Sequence, residues 1–220
     1  MKKYIKLLLP DFLLDYLHKK RVDEIELYNY FHWREKVYKQ WIIDGEPLPP
    51  PHAVKQRIIY ELHKKYRISI LVETGTFMGD MLEAQKRTFK KLYSVELSEE
   101  LYNNAKKRFI YERKITLVQG DSSTKLKEIA EKLNVRTIFW LDGHYSGEGT
   151  ALGDLECPIF AEIDGVFSSK IKNHIILVDD ERCFTGFNSY PTKEELLQYI
   201  HKYNKNYTLR ISNDVIILEP

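Results

Sequence analysis

Short runs of β-branched and aromatic residues alternate with helix-like segments from residue 68 onward, and this alternation constrains the fold more than any other feature. Runs joined by helices are typical of crossover units, in which neighbouring strands are parallel. The sequence therefore predicts an α/β fold with a mostly parallel sheet covered by helices on both faces. The runs that we interpret as its first five strands are residues 69–73, 92–96, 115–119, 137–142 and 174–179.

The C-terminal part of the chain predicts one more helix and two closely spaced strands. Thr192 and Glu195 match a capping-box pattern ahead of apolar residues at helical spacing. Two strand-like runs, residues 207–211 and 215–218, follow that helix and are separated by residues 212–214 alone. A link this short cannot carry a parallel crossover, so we expect the last two strands to form an antiparallel hairpin.

The N-terminal part is rich in aromatic residues and ends in a proline-rich stretch at residues 47–51. We therefore predict a helical N-terminal extension or lid over residues 1–52 and the α/β domain over residues 53–220. Its aromatic side chains suit core packing, an interface in a possible homo-oligomer, or a lid that stacks on a bound molecule. These aromatic residues are Tyr28, Tyr30, Phe31, Trp33, Tyr38 and Trp41.

The composition argues against several classes of partner. The 34 Lys and Arg residues are interspersed with 32 Asp and Glu residues, so we expect no basic stripe for nucleic acid. The apolar runs are shorter than the roughly 20 residues that cross a bilayer, so we expect no transmembrane segment. Cys157 and Cys183 lack metal-finger spacing and suit a reducing, cytoplasmic setting. The histidines that we expect on the surface or at helix ends are His18, His32, His63, His174 and His201.

A glycine turn follows the first predicted strand, with the sequence Glu-Thr-Gly-Thr-Phe-Met-Gly at residues 73–79. Glycine allows the backbone to approach a ligand closely at a turn between a strand and a helix. The spacing differs from the Gly-x-Gly-x-x-Gly fingerprint of nicotinamide cofactors, because Glu73 occupies the place of the first glycine. A carboxylate at that place repels a pyrophosphate group but favours an ammonium group.

Two more acidic residues follow the next two predicted strands. Glu96 ends the second strand about 20 residues after the turn, where an acid accepts hydrogen bonds from a ribose diol in such folds. Asp121 follows the third strand, where its carboxylate can accept from the amino group of an adenine. Each acid alone is also explained by a helix cap. Because open α/β sheets bind ligands at this edge, a shared ligand is favoured over three separate caps.

These residues resemble the class I S-adenosylmethionine-dependent methyltransferases, whose pattern is acid-x-Gly-x-x-x-Gly, an acid closing the second strand and an acid after the third. The resemblance covers residues 55–219. It implies a Rossmann-like, doubly wound sheet of seven strands with the last strand antiparallel. It also implies that Glu73 and Gly75 face the methionine end of S-adenosylmethionine, Glu96 the ribose and Asp121 the adenine. The other residues of the expected cofactor site are Thr76, Gly79, Ser122 and Asp142.

Acidic residues also end the fourth and fifth predicted strands, and we assign them to the reaction centre. Asp142 follows strand four, while Asp179 and Asp180 follow strand five. Three carboxylates without a partnering cysteine favour a hard ion such as Mg²⁺, which keeps positions open for water or substrate oxygens. A hydroxyl group bound to that ion would lose its proton more easily to Asp142 or His144.

The sequences Leu-Asp-Gly at residues 141–143 and Val-Asp-Asp at residues 178–180 resemble the metal-dependent sugar O-methyltransferases of the macrocin O-methyltransferase type. In that family the three aspartates at the matching positions bind Mg²⁺, and the first is also a candidate base. The resemblance implies methyl transfer to a small-molecule acceptor, a carbohydrate, but the loop at residues 143–159 departs from the family. The residues that we expect to contact the acceptor are His52, His144, Tyr145 and Arg182.

Three alternatives to a metal-assisted methyltransferase remain open on the sequence alone. The first is a methyltransferase that works without metal and uses His144 as its base. The second is a non-catalytic, cofactor-binding module of a glycan-assembly complex. The third is a metal-dependent hydrolase built on the same aspartates and His144, which would leave Glu73, Gly75 and Glu96 without a role.

Overall fold

The computed structural model describes residues 32–143, 157–187 and 189–220. The chain divides into two units, Met1–Pro47 and Leu48–Pro220. Within the first unit, residues 32–43 form helix α1, and the indole N–H of Trp41 donates to the carbonyl oxygen of Pro47 at 2.9 Å. The lid role of this extension stays a prediction, and its aromatic residues before position 32 lie outside the described residues.

The second unit contains six further α-helices and seven strands among its described residues. The helices are α2 (His52–Tyr66), α3 (Asp80–Gln85), α4 (Glu99–Arg108), α5 (Ser122–Ala130), α6 (Ile159–Phe167) and α7 (Lys193–His201). The strands are β1 (Ile70–Thr74), β2 (Lys91–Glu96), β3 (Ile115–Gln119), β4 (Ile138–Leu141), β5 (Ile175–Val178), β6 (Thr208–Ser212) and β7 (Val215–Glu219).

The seven strands form one sheet in the order β3-β2-β1-β4-β5-β7-β6. The first five strands in this order are parallel, and β7 runs antiparallel to both β5 and β6. The predicted doubly wound, mostly parallel sheet with a C-terminal antiparallel hairpin is therefore confirmed. The strand order reverses between β1 and β4, and open α/β sheets bind their ligands beside the carboxyl ends of the strands at such a point.

Both faces of the central strands β1, β4, β5 and β7 are buried, as is typical of a sheet covered by helices. Successive residues of a strand point to opposite faces, so Val72 and Phe139 belong to one hydrophobic cluster while Leu71 and Trp140 belong to the other. Helices α5, α6 and α7 contribute to the first cluster, and α2 and α3 contribute to the second. The strand ends are thereby held between two packed layers, which fixes the polar residues that follow them.

Side-chain caps define where three helices begin. The hydroxyl of Ser98 accepts from the backbone N–H of Leu101 at the start of α4. Thr192 and Glu195 form the predicted capping box at the start of α7. Asp121 caps α5 by accepting from the backbone N–H of Ser123 at 2.8 Å. The ends of β2 and β3 thus lead directly into capped helices, with polar groups held at the sheet edge.

The expectation that His174 lies on the surface or at a helix end is wrong. Its side chain is fully buried just before β5, where Nδ1 accepts from the backbone N–H of Thr137. Burial lowers the pKa of His174 to about 4, so the ring is neutral and serves as an acceptor between two strands. Cys157 is buried in the core and Cys183 is partly exposed, and both are free. None of the helices within the described ranges has the length and hydrophobicity needed to cross a bilayer.

Candidate active site at the carboxyl edge of the sheet

The turn after β1 rests directly on the end of β4. Gly75 has a φ of +77°, and a methyl group at this position would lie 2.3 Å from the carbonyl oxygen of Asp142. Its N–H donates to the carbonyl oxygen of Val95 on β2 at 2.9 Å. The hydroxyl of Thr74 accepts from the backbone N–H of Asp142 at 3.1 Å. Glycine at position 75 thus joins the ends of β1, β2 and β4 into one edge.

Glu73 presents a buried carboxylate at this edge. It pairs in register with Ser94 of β2, whose hydroxyl donates to Oε1 at 2.7 Å and lies 2.5 Å from the hydroxyl of Thr76. Among the described residues, Oε2 of Glu73 has no hydrogen-bond partner. Burial, with a smaller contribution from the nearby carboxylate of Glu96, raises the pKa of Glu73 to about 8 against the opposing hydrogen bond from Ser94. A positively charged ligand group at Oε2 would relieve both penalties.

Glu96 is held by the backbone at the end of β2. Its Oε2 accepts from the N–H of Phe77 at 2.8 Å, and its Oε1 accepts from the N–H of Ser98 at 2.9 Å. Each carboxylate oxygen keeps a second lone pair for another donor. The two backbone bonds orient the carboxylate at the place where the sequence predicts a ribose diol.

The loops after β3 and β4 also meet at this edge. Asp121 caps α5 through Oδ1, so its carboxylate can cap the helix and still offer the other oxygen to the predicted cofactor. A methyl group at Gly143 would lie 3.1 Å from the hydroxyl of Ser122 and 2.8 Å from Oε1 of Glu162. Gly79 has a φ of +82°, and a methyl group there would lie 2.7 Å from the ring of Phe109, so this glycine lets the turn pack against the end of α4. The roles of Asp121, Ser122 and Gly79 towards a cofactor stay predictions.

Glu162 is a site residue that the sequence analysis missed. It lies on α6, is 2% exposed and packs beside Gly143 at the end of β4. The signal was available, since Glu162 is an acid on the buried side of an otherwise apolar helix turn, next to Ile159 and Ile163. A carboxylate among buried apolar residues is costly and therefore a candidate for function.

The two aspartates after β5 are paired with a lysine that the sequence analysis also missed. Lys55, on the first turn of α2, is 6% exposed. Its Nζ lies 2.6 Å from Oδ1 and 2.7 Å from Oδ2 of Asp179, and 3.1 Å from Oδ1 of Asp180. Burial alone would lower the pKa of Lys55, but the two aspartates raise it above its ordinary value. The ammonium therefore stays charged between the carboxylates.

Asp142 faces the same group of charges from the end of β4. The backbone N–H of Asp179 donates to the carbonyl oxygen of Leu141, which brings the residues after β4 and β5 side by side. Burial raises the pKa of Asp142 well above its usual range, the charge of Asp179 adds to this effect, and Lys55 opposes it. Asp142 is consequently a stronger base when ionised than an exposed aspartate.

The arrangement around Asp179 does not fit the predicted Mg²⁺ site. Both oxygens of Asp179 contact the ammonium of Lys55, and Oδ1 also accepts from the backbone N–H of Asp180. Magnesium binds carboxylate oxygens at about 2.0–2.1 Å, so an ion chelated by this carboxylate would overlap the ammonium. Within the part of the chain that the structure describes, no group of three or more His, Cys, Asp or Glu side chains is arranged for a metal.

Two of the four residues expected to contact the acceptor lie near these charges. His52 begins α2. Partial burial of its ring lowers its pKa, and the nearby charge of Lys55 lowers the pKa further. The guanidinium of Arg182 is paired with Asp180 at 2.8 Å and with Asp214. His144 and Tyr145 lie outside the described residues. Contact of all four with an acceptor stays a prediction.

Comparison with solved structures shows that the fold of this chain is a known one. An O-methyltransferase of tomaymycin synthesis from Streptomyces achromogenes, in complex with S-adenosylmethionine, superposes with a TM-score of 0.52 at 11% identity, over 84% of this chain and 87% of that one. An O-methyltransferase from Bacillus cereus, in complex with S-adenosylhomocysteine, gives 0.52 at 10%, over 85% and 90%. The chain has the class I S-adenosylmethionine-dependent methyltransferase fold.

A third structure extends the similarity to nearly the whole of both chains. The S-adenosylhomocysteine-bound methyltransferase PaMTH1 from Podospora anserina gives a TM-score of 0.50 at 14% identity, over 91% of this chain and 95% of that one. No family model and no curated protein matches the sequence. Because the identities are this low, the comparisons confirm the fold and leave the acceptor to be argued from the site.

We predict that Gly75→Ala destabilises the protein by about 3 kcal/mol or more, because a side chain there adds a clash with the backbone of Asp142 to the strain of a left-handed φ. Gly186→Ala is the matched control, since Gly186 has a φ of +87° and its nearest contact would be a side-chain methyl of Thr192 at 3.2 Å. We expect Gly186→Ala to destabilise the protein by about 1–2 kcal/mol, the cost of the left-handed φ alone. Urea unfolding of both variants measures the difference, and equal losses would contradict the argument.

We predict that S-adenosylhomocysteine binding at pH 7 releases up to about one proton, because its ammonium favours the ionised form of Glu73, whose pKa is about 8 in the folded protein. Calorimetric titration in two buffers of different ionisation enthalpy measures that release. Glu73→Gln should abolish it and weaken binding by about tenfold or more. Glu61→Gln, an exposed change on α2, should alter neither quantity. Proton release that persists in Glu73→Gln would assign it to another group.

The same shift of Glu73 predicts how stability depends on pH. The folded pKa of about 8 lies above the ordinary value of 4.5, so between these values the folded protein holds a proton that the unfolded chain has released. The free energy of unfolding therefore falls as pH rises through this window, and Glu73→Gln should flatten that part of the curve. Urea unfolding of both proteins from pH 5 to 9 checks it, and parallel curves would remove Glu73 as the cause.

Proposed function

We propose that this chain transfers a methyl group from S-adenosylmethionine to a hydroxyl group of a small acceptor, and that the acceptor is a carbohydrate. The observation that carries the proposal is the buried carboxylate of Glu73, which lies near the carboxyl end of β1 and whose Oε2 has no hydrogen-bond partner among the described residues. An ammonium group supplies the missing charge and hydrogen bond. Glu96 and Asp121 supply acceptors at the two following strand ends.

When bound, S-adenosylmethionine supplies a methyl group on a positively charged sulfur, and it leaves as S-adenosylhomocysteine after transfer. Glu73 holds the ammonium of its methionine part, and Glu96 accepts from the ribose hydroxyls. Asp121 accepts from the adenine amino group. Gly75 keeps the turn after β1 free of a side chain, so that the turn packs against the backbone of Asp142 and holds Glu73 and Asp142 at one edge.

Asp142 takes the proton that the reaction releases. Transfer of the methyl group from the sulfonium to an acceptor hydroxyl would release the hydroxyl proton, and the carboxylate of Asp142 would take up that proton. A raised pKa makes this carboxylate a better proton acceptor than an exposed aspartate. His144 keeps its predicted role as an alternative base.

The carbohydrate acceptor rests on the chemistry of the reaction centre. Asp142, Asp179 and Asp180 cluster with Lys55 at the ends of β4 and β5, so carboxylate acceptors and an ammonium donor are close together. Neighbouring hydroxyl groups of a sugar present both donors and acceptors to such a cluster. Mg²⁺ is nevertheless varied in the assay, because the resemblance predicts an ion at these aspartates whereas the pairing of Asp179 with Lys55 does not fit one.

We predict that S-adenosylhomocysteine binds the wild type with micromolar affinity and that Glu96→Gln weakens binding by about tenfold to a hundredfold, because one buried acceptor becomes a donor. Glu100→Gln, an exposed change four residues later, is the matched control and should bind like the wild type. Isothermal titration of all three proteins measures this. No binding by the wild type would end the methyltransferase proposal and favour the hydrolase.

Methyl transfer is then assayed with nucleoside-linked and free sugars, with Mg²⁺ or with a chelator. Transfer of the methyl group to a sugar oxygen, identified by mass spectrometry, is the expected result. Tight cofactor binding without turnover on any hydroxyl acceptor would instead support the non-catalytic module. Transfer to an amine but not to a hydroxyl would support the methyltransferase activity and contradict the proposed hydroxyl acceptor.

A further inference from the structure

Lys55 is paired with two of the three aspartates that the sequence analysis assigned to Mg²⁺, Asp179 and Asp180. The ammonium contacts both oxygens of Asp179 and one oxygen of Asp180, at 2.6–3.1 Å. The side chain of Lys55 is 8% exposed, and those of the two aspartates are 3% and 15% exposed. Three charged groups this deeply buried persist only when they are paired with each other.

Neighbouring contacts fix the geometry of this ion pair. The backbone N–H of Asp180 donates to Oδ1 of Asp179 at 2.8 Å, and Asp180 has a left-handed φ of +54°. Arg182 contacts the same oxygen of Asp180 as Lys55 does, with Nη1 at 2.8 Å from Oδ1, and it also pairs with Asp214. Two basic side chains from distant parts of the sequence therefore balance the aspartates that follow β5.

A lysine ammonium and a magnesium ion make competing demands on the same oxygens. The ion needs several oxygens at about 2.0–2.1 Å in octahedral geometry, and it usually retains water. The ammonium of Lys55 already lies along both oxygens of Asp179, and its positive charge repels a second cation there. Binding of Mg²⁺ at Asp179 would require the buried lysine to withdraw from its partners.

We propose that Lys55 takes the place of the divalent ion, so that this reaction centre holds its aspartates around a fixed ammonium and excludes Mg²⁺. The idea of a reaction here rests on the proposed function, whereas the exclusion of the ion depends on Lys55 alone. Lys55 is a positioning residue for Asp179 and Asp180. The aspartates that bind Mg²⁺ in the family that the sequence resembles are therefore held by a lysine ammonium in this chain.

The experiment measures Mn²⁺, a paramagnetic substitute for Mg²⁺, through the electron paramagnetic resonance signal of the free ion. The full chain is compared with Lys55→Met, which keeps a similar side-chain volume and removes the charge. Lys65→Met is the matched control, because Lys65 lies on the same helix, is 57% exposed and pairs with Glu219. Lys55→Arg keeps the charge, and the double variant Lys55→Met/Asp179→Asn removes a carboxylate.

The wild type, Lys65→Met and Lys55→Arg should leave the free-ion signal unchanged at millimolar Mn²⁺. Lys55→Met should bind Mn²⁺ at least about tenfold more tightly than the wild type, since the released carboxylates need a cation. The double variant should lose that gain. Melting temperatures provide a second readout: about 5 mM Mg²⁺ should raise the melting temperature of Lys55→Met by several degrees and leave the wild type unchanged.

Mn²⁺ binding by the wild type at micromolar concentration would overturn the proposal, and this measurement remains decisive if Lys55→Met fails to fold. Equal Mn²⁺ binding by a folded Lys55→Met and the wild type would overturn it as well. Titration with S-adenosylhomocysteine on the same samples separates the two proposals. If the wild type binds both the cofactor and Mn²⁺, only the proposed role of Lys55 is disproved. If Mn²⁺ binds Lys55→Met and not the wild type, as expected, but no protein binds the cofactor, only the methyltransferase proposal is disproved.

Discussion

The contact between the turn after β1 and the end of β4 is the constraint on which the candidate site depends. The carbonyl oxygen of Asp142 lies where a side chain at position 75 would begin, so these two segments meet only because residue 75 is glycine. The hydroxyl of Thr74 holds the backbone N–H of the same aspartate. Glu73 and Asp142, which are far apart in the sequence, consequently share one edge, and β2 adds Glu96 beside them.

This edge concentrates negative charge in a buried place, and the protein relieves the repulsion in different ways. Glu73 keeps a proton up to about pH 8 in the folded protein. Asp179 and Asp180 are compensated by Lys55, and Asp180 also by Arg182. Such a surface favours positively charged ligands, because each added cation removes a cost that folding imposed. S-adenosylmethionine brings both an ammonium and a sulfonium, which explains how this edge suits that cofactor in our proposal.

Local patterns in the sequence were sufficient to predict most of the fold. The strand runs, the capping box at Thr192 and the short link before β7 each depend on residues close together in the chain. The number of strands followed from the family resemblance, whereas the strand order came from the structure. His174 was misjudged because it is buried against a distant segment, where it accepts a hydrogen bond from the backbone N–H of Thr137, directly before the neighbouring strand β4. Lys55 was missed for the same reason, since 124 residues separate it from Asp179. Contacts between distant segments are set by packing, which spacing rules do not describe.

The pairing of Lys55 also separates two tasks that a magnesium site combines. In a metal-dependent enzyme the ion both binds the acceptor oxygen and promotes loss of its proton. Here the fixed positive charge belongs to Lys55, whereas the group suited to accept a proton is Asp142, whose pKa is raised by burial. An acceptor hydroxyl between them would meet a donor on one side and a base on the other. Because an ammonium polarises a hydroxyl less strongly than a divalent ion does, more of the activation must come from Asp142, whose carboxylate lies beside the like charge of Asp179.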